Sequence, residues 1–366
     1  MRSATDFAPV WAIPPGRTIV DVMASKGMVA SQLAYSMDIS SDEFSDLLNG
    51  KLALNAQHAA HLEALLGASA TFWLRREEQY RSQLAELNHE IDLTKERYES
   101  WLKNLPIKDM LELGWLSSAD DKATQLRKCL DFFDVPNLDA WDKAYGDVRE
   151  AAAFRVSDAY PQSVPATAAW LRQGECLADR IECRDWNPEV FEHRLAEIRH
   201  LTRIASPDEF LPKLEKLCAE AGVAVVVLKA PKGCRASGAT FFAHPRKAVL
   251  ILSGRYLSDD QFWFSFFHEA AHLILHWDAN SLILETSDNS KSPMELEANQ
   301  FAFDRLMPAE FQKRLPEAAK SIKGILKLAR DAGVSRGIVV GQMQHCHLVK
   351  PNHYNGLKFH YQWKKR

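Results

Sequence analysis

The 366-residue chain lacks several features that would place it in a special class of protein. Its longest apolar run, residues 223–228, is far too short to cross a bilayer, and no basic stretch leads into an apolar leader segment. The six cysteines show no Cys-x-x-Cys spacing, which argues against a disulfide framework or a thiolate zinc site. We therefore expect a soluble cytoplasmic protein with reduced thiols and no membrane partner.

The chain has enough apolar residues for a core, but its charge is unevenly distributed. Hydrophobic residues make up 46% of the chain, which at this length predicts two or three domains. Residues 1–90 carry 7 Lys/Arg against 11 Asp/Glu, whereas residues 317–366 carry 10 against 2. The basic C-terminal segment is compatible with nucleic-acid binding, with docking on the acidic part, or with a solvated tail.

Four short helices are predicted in the N-terminal part of the chain. Apolar spacing and helix-stop residues place the first before Gly27, the second over about 31–37, the third over 41–48 and the fourth over 56–66. Two helices joined by a short turn are the arrangement in which DNA-binding domains place their second helix in the major groove.

Five short motifs follow one another in this part of the chain: Pro14-Pro15-Gly16, Ser31-Gln32-Leu33-Ala34, Leu47-Leu48-Asn49-Gly50-Lys51, Leu62-Glu63 and Gly67-x-Ser69-Ala70-x-Phe72-Trp73-Leu74. In this order they resemble the helix-turn-helix domain of HigA-type antitoxins, within the larger Xre group of repressors. The resemblance implies an all-α helix-turn-helix domain, which we place at residues 1–90, and double-stranded DNA as a partner.

Side chains able to contact DNA bases are present, but the charge around them is unfavourable. Gln32, Ser41, Ser45 and Asn49 can form hydrogen bonds with base edges. The predicted recognition helix, however, has three carboxylates and no Lys or Arg over residues 41–46. Carboxylates oppose the counterion release that supplies most DNA affinity. Two interpretations stay open: DNA binding, and a retained fold that serves homodimer formation or partner contact.

Residues 91–205 are helical by their apolar period and rich in tryptophan. We expect the tryptophans to be core anchors, and no residue pattern here indicates catalysis. We therefore assign a helical connector domain to residues 91–205 and a further domain, which includes the basic C-terminal segment, to residues 206–366.

The chain then changes to an α+β pattern. A helix over about 208–220 leads into a buried strand at 223–228, and strand-like runs follow at 237–242 and 248–252. The run 235–241 is compatible with an edge strand along a cleft, to which an extended substrate adds by backbone hydrogen bonds. It is equally compatible with an ordinary strand inside the sheet.

The next predicted helix, over about 259–276, contains His268-Glu269-Ala270-Ala271-His272. Two histidines four residues apart lie on one helix face, about 6 Å apart along the axis, so both imidazoles can bind one metal ion. Glu269 is then placed to act on water beside the ion. The alternative is a pair of hydrogen-bonded core histidines. His276 lies about 12 Å along the axis from His268, too far to bind the same ion, so we expect it to play a supporting or structural role.

A third ligand is expected from the following helix, predicted over 293–306. At 100° per residue, Glu295 shares a face with two alanines that permit close helix approach, whereas Glu297 lies on the polar side. In the competing interpretation Ser292 and Glu295 form a capping box, and Glu295 caps the helix instead of binding metal. We favour Glu295 as the ligand because the two histidines otherwise lack a third protein ligand.

Three motifs in this region occur together: His268-Glu269-x-x-His272, Glu295-x-x-Ala298-Asn299-x-Phe301-Ala302 and Leu306-Met307-Pro308. They resemble the ImmA/IrrE family of zinc metallopeptidases, gluzincin-like enzymes whose known members cleave Xre-type repressors. The resemblance spans about residues 206–345. It implies that Glu295 is the third zinc ligand and that Asn299 holds a ligand in place. A helix-turn-helix followed by such a peptidase domain is a known architecture of this family.

Together these features predict an α+β, predominantly helical chain. Its parts are the all-α helix-turn-helix domain, the helical connector and a C-terminal zincin-like (gluzincin) domain whose small sheet packs on the His-Glu-x-x-His helix. We expect one Zn²⁺ per chain, held by His268, His272 and Glu295. Glu269 takes a proton from water and passes it to the leaving amine.

The leading hypothesis is a cytoplasmic zinc endopeptidase that cleaves a regulatory protein. An Xre-type transcriptional repressor is the substrate that the resemblance implies, in stress response, phage defence or a toxin-antitoxin system. Two alternatives stay open. One is a DNA-binding regulator or antitoxin whose zincin domain binds or senses a partner without cleaving, and the other is a helix-turn-helix domain that recruits or mimics the substrate.

Overall fold

A computed structural model describes residues 12–93, 95–146, 163–255, 257–276, 283–285 and 292–363. These residues group into two compact units. The first takes in the described residues up to Leu102 together with Ala119–Lys143, and the second takes in Lys103–Ser118 and the described residues from Ala144 onward. The predicted connector, 91–205, is thus divided between the two units. No helix in the described part of the chain is long and apolar enough to cross a membrane.

Helices make up all the regular structure described before residue 220. In chain order they are α1 (Pro15–Ser25), α2 (Ala30–Ser36), α3 (Ser41–Leu48), α4 (Ala56–Leu66), α5 (Ala70–Leu93), α6 (Lys95–Asn104), α7 (Ile107–Glu112), α8 (Lys122–Phe133), α9 (Leu138–Ala144), α10 (Val164–Ala178), α11 (Pro188–Leu201) and α12 (Pro207–Ala219). The helices predicted at 41–48 and 56–66 are confirmed to the residue. Those predicted before Gly27 and over about 31–37 are confirmed to within a residue or two.

Local caps set the bounds of the helices in the first unit. Oγ of Ser40 accepts a hydrogen bond from the Glu43 backbone N–H (3.1 Å), and the Glu43 carboxylate accepts one from the Ser40 N–H (2.9 Å). This capping box starts α3. Gly67 adopts a left-handed conformation (φ 85°) that ends α4. The first unit therefore has the short helices that the sequence predicts.

The core of the first unit lies between these short helices. A Cβ at Gly16 would lie 1.9 Å from the Leu48 carbonyl oxygen, so α1 approaches the end of α3 very closely. Apolar side chains from α1 to α5 fill the space between the helices, and those with the least exposed surface are Ile19, Leu33, Ala59, Leu62 and Trp73. Their burial supplies the main stabilisation of this unit.

The second unit contains a small sheet followed by helices. Its elements after residue 220 are β1 (Val223–Val227), β2 (Gly238–His244), β3 (Lys247–Leu252), α13 (Asp259–Leu275), β4 (Ile283–Glu285), α14 (Pro293–Leu306), α15 (Ala309–Gln312), α16 (Leu315–Ala318), α17 (Ile322–Ala332), α18 (Arg336–His345) and a 3₁₀ turn at Asn355–Leu357. The chain is therefore predominantly helical with a small mixed sheet, as expected.

The strands lie in the order β1-β3-β2-β4. β1 pairs with β3 in parallel, whereas β2 pairs antiparallel with both β3 and β4. Residues Gly238–Thr240 of β2 are thus paired on both sides, so the interpretation of 235–241 as an edge strand is wrong for this stretch. The alternative, a strand inside the sheet, is confirmed. The partner that covers this edge, β4, has three residues and no sequence pattern that predicts it.

Helices cover both faces of the sheet, which explains its unbroken apolar strands. Trp170 of α10 is fully buried on one face, and its indole N–H donates to the Leu228 carbonyl oxygen (2.9 Å). On the other face Val225 and Leu250 join the cluster formed with α11, α12 and α13. The sheet therefore packs on the helix that carries the His-Glu-x-x-His motif.

Part of the basic C-terminal segment packs on the start of α13. Nζ of Lys358 donates to the Asp260 carboxylate (2.6 Å), and both side chains are nearly buried. The Tyr361 N–H donates to the Leu257 carbonyl oxygen (2.7 Å), and the Asp259 N–H donates to the Phe359 carbonyl oxygen (3.0 Å). Lys358 is therefore anchored to α13 and is not part of a solvated basic tail.

Candidate metal centre

Helix α13 carries the His-Glu-x-x-His motif into the core of the second unit. The helix packs against β2, β3, α14 and α18. The exposed fractions of His268, Glu269 and His272 are 1%, 0% and 1%. Burial of three polar side chains in an apolar helix is costly unless they have partners. The surroundings of these three residues therefore decide what they can do.

Glu295 of α14 meets the two histidines. Nε2 of His268 lies 3.0 Å from Nε2 of His272 and 3.0 Å from Oε2 of Glu295. Nε2 of His272 lies 3.7 Å from the same oxygen. Ligands of a tetrahedral zinc ion, each about 2.0–2.1 Å from the metal, lie about 3.3–3.4 Å from one another. The three residues predicted as ligands thus come together at separations that fit one ion.

The backbone of Glu295 takes part in the helix cap, whereas its side chain does not. Oγ of Ser292 accepts a hydrogen bond from the Glu295 N–H (3.2 Å), as a capping box requires. The Glu295 carboxylate faces the two imidazoles, and the residue is only 5% exposed. Only half of a capping box is therefore formed at α14: the Glu295 N–H takes part in the cap, and its carboxylate is instead placed to bind a metal ion.

The outer nitrogens of both imidazoles have hydrogen-bond partners of their own. Nδ1 of His268 lies 3.0 Å from Oδ1 of Asn299, and Nδ1 of His272 lies 3.0 Å from Nδ1 of His276. When Nδ1 carries the proton and donates, the lone pair is left on Nε2, the atom that faces the other ligands. Asn299 and His276 are therefore placed to hold the two rings in an orientation suited to metal binding.

Glu297 has a role in this network that the sequence did not reveal. One of its carboxylate oxygens lies 3.0 Å from Nε2 of His276. A chain of contacts thus runs from Glu297 through His276 to His272. Glu297 lies on the polar side of α14, which argues against it as a metal ligand. From the same position its carboxylate can orient the His276 ring.

Burial and close contacts shift the pKa values of the candidate ligands. Burial lowers the pKa of His272, which favours the neutral imidazole that binds metal ions. Burial opposes ionisation of Glu295, but its close contacts with His268 and His272 outweigh this effect and lower its pKa to about 2. Both shifts are in the direction that metal binding requires.

Glu269 packs against the backbone of β2. A Cβ at Gly238 would lie 2.2 Å from Oε1 of Glu269 and 2.6 Å from its Cγ. Only glycine leaves room for this carboxylate beside the strand. Gly238 is a site residue that the sequence did not indicate, because the contact depends on how β2 crosses α13.

The residues predicted to contact DNA lie on the surface of the first unit. Gln32 of α2, and Ser41 and Ser45 of α3, are exposed. Asn49, directly after α3, is also exposed, and its side-chain amide donates to the Ser45 carbonyl oxygen (2.8 Å). These positions are accessible to a partner, but the carboxylates of the same helix lie among them.

Comparison with known proteins supports part of this picture. Residues 218–342 match the family model of the IrrE N-terminal-like domain. No curated protein matches the chain. The matched range contains the whole sheet, α13, α14 and every residue of the candidate metal centre. It supports a metallopeptidase-like function for this part of the chain and does not extend to the first unit.

Proposed function

We propose that this chain is a zinc-dependent endopeptidase. The observation that carries the proposal is the convergence of one ligand atom each from His268, His272 and Glu295 within 4.8 Å, with all three residues buried. Two imidazoles and one carboxylate are a ligand set of catalytic zinc sites, in which a fourth position stays open for water or substrate. Glu269 adds a buried carboxylate next to the first ligand.

The roles of the side chains follow from this arrangement. Zinc, when bound, supplies Lewis acidity that makes water acidic near neutral pH and polarises a carbonyl group. Glu269 takes the proton from the attacking water and gives it to the amine that leaves when the C–N bond breaks. Asn299 and His276 keep the two imidazoles oriented through their Nδ1 atoms.

In this proposal the substrate is a regulatory protein in the cytoplasm, specifically an Xre-type repressor. The support is the resemblance of the second unit to ImmA/IrrE peptidases, whose known members cleave such repressors. Stress response, phage defence and toxin-antitoxin control are the settings that this substrate implies. We assign the first unit, as an Xre/HigA-like domain, to contacts with the substrate or with a second copy of the chain, because its exposed α3 is acidic.

Cleavage assays test this function. The full chain, loaded with zinc, is incubated with purified Xre-type repressors encoded near its gene, and the products are mapped by mass spectrometry. We expect cleavage at a defined bond, a loss of at least about 1,000-fold in Glu269→Gln, and near wild-type activity in the matched control Glu317→Gln, whose side chain is highly exposed. Activity that survives Glu269→Gln would contradict the proposed role of this residue.

A DNA-binding regulator is the second candidate, because α2, α3 and the residue after α3 expose four side chains that can contact bases. Binding to genomic fragments at low salt, with an affinity that falls steeply as salt rises, is the expected behaviour of such a protein. Specific operator binding that survives Glu269→Gln, with no proteolysis of any repressor, would favour this candidate over the peptidase.

A further inference from the structure

A cavity of 770 Å³ lies in the second unit beside the N-terminal half of α13. Phe210 of α12, Leu252 at the end of β3 and Phe262 of α13 supply buried apolar parts of its lining. Tyr361 and Trp363 of the C-terminal segment also line it. The volume falls within the range of about 300–1,000 Å³ that is usual for ligand sites, and it exceeds that of one aromatic side chain.

The cavity adjoins the candidate catalytic residue along two elements. On α13 the lining residues Gln261 and Ser265 precede Glu269 by two turns and by one turn on the same side of the helix. On the sheet, the lining residue Ser237 directly precedes Gly238, the residue packed against the Glu269 carboxylate. The cavity therefore comes within one turn of α13 of the proposed general base.

The C-terminal wall of the cavity is held in place by buried contacts. Lys358 is paired with Asp260, and the Phe359 N–H donates to the Asp259 carboxylate (3.1 Å). Trp363 packs over Gly254, where an added Cβ would lie 3.0 Å from the indole. These contacts anchor residues 358–363 to the first turn of α13 and to the loop before it. Tyr361 and Trp363 therefore form a fixed wall of the cavity.

We propose that this cavity binds a bulky apolar side chain of the substrate polypeptide next to the scissile bond, and that Tyr361 and Trp363 help to determine this specificity. The inference rests on the proposed peptidase function. The apolar lining favours an apolar side chain, and the position of the cavity near Glu269 favours a side chain close to the bond that is cut. The walls built by residues 205–211 and 360–363 lie outside the range 218–342 that matches the family model.

Cleavage of a peptide library tests the proposal. The zinc-loaded full chain is incubated with peptides randomised around a central segment, and residue preferences at each position flanking the cut are read by mass spectrometry. We expect one flanking position to favour Phe, Leu or Met over Ala or Asp by at least about tenfold. Trp363→Ala, which widens the cavity, and Gln261→Trp, which fills it from an exposed position, should each alter this preference.

Leu348→Ala is the matched control, since Leu348 is an exposed apolar residue of the C-terminal segment that does not line the cavity. It should keep the wild-type preference. Gln261→Trp changes a surface position, so it keeps the test decisive if Trp363→Ala fails to fold. Cleavage with no apolar preference, or with a preference that neither cavity variant alters, overturns the proposal and leaves the peptidase function standing.

A binding measurement separates the two claims. Ligand-observed NMR compares the capped peptides acetyl-Ala-Phe-Ala-amide and acetyl-Ala-Asp-Ala-amide on the zinc-loaded Glu269→Gln chain, which needs no turnover. Stronger binding of the phenylalanine peptide, lost in the additional Gln261→Trp variant, supports the apolar pocket even if no peptide is cleaved and the proposed function fails. Equal binding of the two peptides overturns the pocket.

Discussion

Gly238 and Glu269 are packed so closely that a Cβ at residue 238 would lie 2.2 Å from Oε1 of the carboxylate. Glu269 itself is fully buried. Gly238 cannot move away from Glu269, because it is paired with Leu252 of β3 on one side and with Glu285 of β4 on the other. The sheet therefore fixes the position of the proposed general base.

Gly238→Ala should lower kcat for any substrate that the chain cleaves by about 100-fold, because displacement of a catalytic group by about 1 Å has an effect of this size. Zinc content should stay at the wild-type level, since Gly238 does not contact the ligands. Gly356→Ala is the matched control, because a Cβ there would meet nothing within 4 Å. Steady-state kinetics that are equal in both variants would show that the contact with Gly238 does not position Glu269.

Asn299→Ala should weaken zinc binding by about 10–100-fold, because Nδ1 of His268 loses the oxygen that orients its ring. Competition with a chelator of known affinity measures this change. Gln300→Ala is the control on the same helix, where the side chain contacts only the exposed Asp304 carboxylate among described residues. An Asn299→Ala variant that binds zinc as tightly as Gln300→Ala would contradict the assigned role.

Lys358→Met should destabilise the protein by about 3–5 kcal/mol, because it leaves the Asp260 carboxylate buried without its cation. Denaturation with urea measures the loss. In the control Lys320→Met, the carboxylate left without its cation is Glu317, which is highly exposed. We therefore expect the free energy of unfolding to change by only about 0–1 kcal/mol. Equal effects of the two substitutions would show that the C-terminal segment is not anchored by the buried pair.

The stability of the second unit should depend on the ionisation of Asp259. Burial is the largest effect and raises the pKa of this carboxyl from its ordinary 3.8 to about 6, although the Ser335 hydroxyl donates to it. The folded state thus holds the proton more tightly than the unfolded state. The protonated Asp259 carboxyl therefore contributes fully to the free energy of unfolding below about pH 4. This contribution, about 3 kcal/mol, is lost as the pH rises through 6.

Asp259→Asn removes this titration, so the wild-type free energy of unfolding, relative to that of the variant, should decrease between pH 4 and 6.5. Urea denaturation of both proteins across this range tests the prediction. In the variant the Ser335 hydroxyl can turn to accept a hydrogen bond from the asparagine amide. The two proteins therefore differ mainly in whether residue 259 can ionise. Parallel stability profiles would contradict the raised pKa.

Local signals explain which parts of the fold are predictable from the sequence. The bounds of α3, α4 and α14 follow from caps such as Ser40 and Ser292 and from stop residues such as Gly67, all of which act within one turn. The ligand set is also local in origin, because helical spacing places His268 and His272 on one face and Glu295 on the small-residue face of its helix.

Contacts between distant segments explain what the sequence does not reveal. The pairing of β2 with β4 decides that β2 is not an edge strand, and three residues are too few to give β4 a pattern. The packing of Gly238 on Glu269 and the pairing of Lys358 with Asp260 also arise only when the sheet, α13 and the C-terminal segment come together. Sequence spacing alone cannot specify such approaches.

The metal content of the full chain tests the central claim most directly. Elemental mass spectrometry is applied to protein that was supplied with zinc and then freed of unbound metal. We expect about one zinc per chain in the wild type and in Glu317→Gln, whose carboxylate is highly exposed, and almost none in His272→Ala and Glu295→Gln. A wild-type chain without zinc, or a Glu295→Gln chain that binds zinc as fully as Glu317→Gln, would contradict the proposed metal centre.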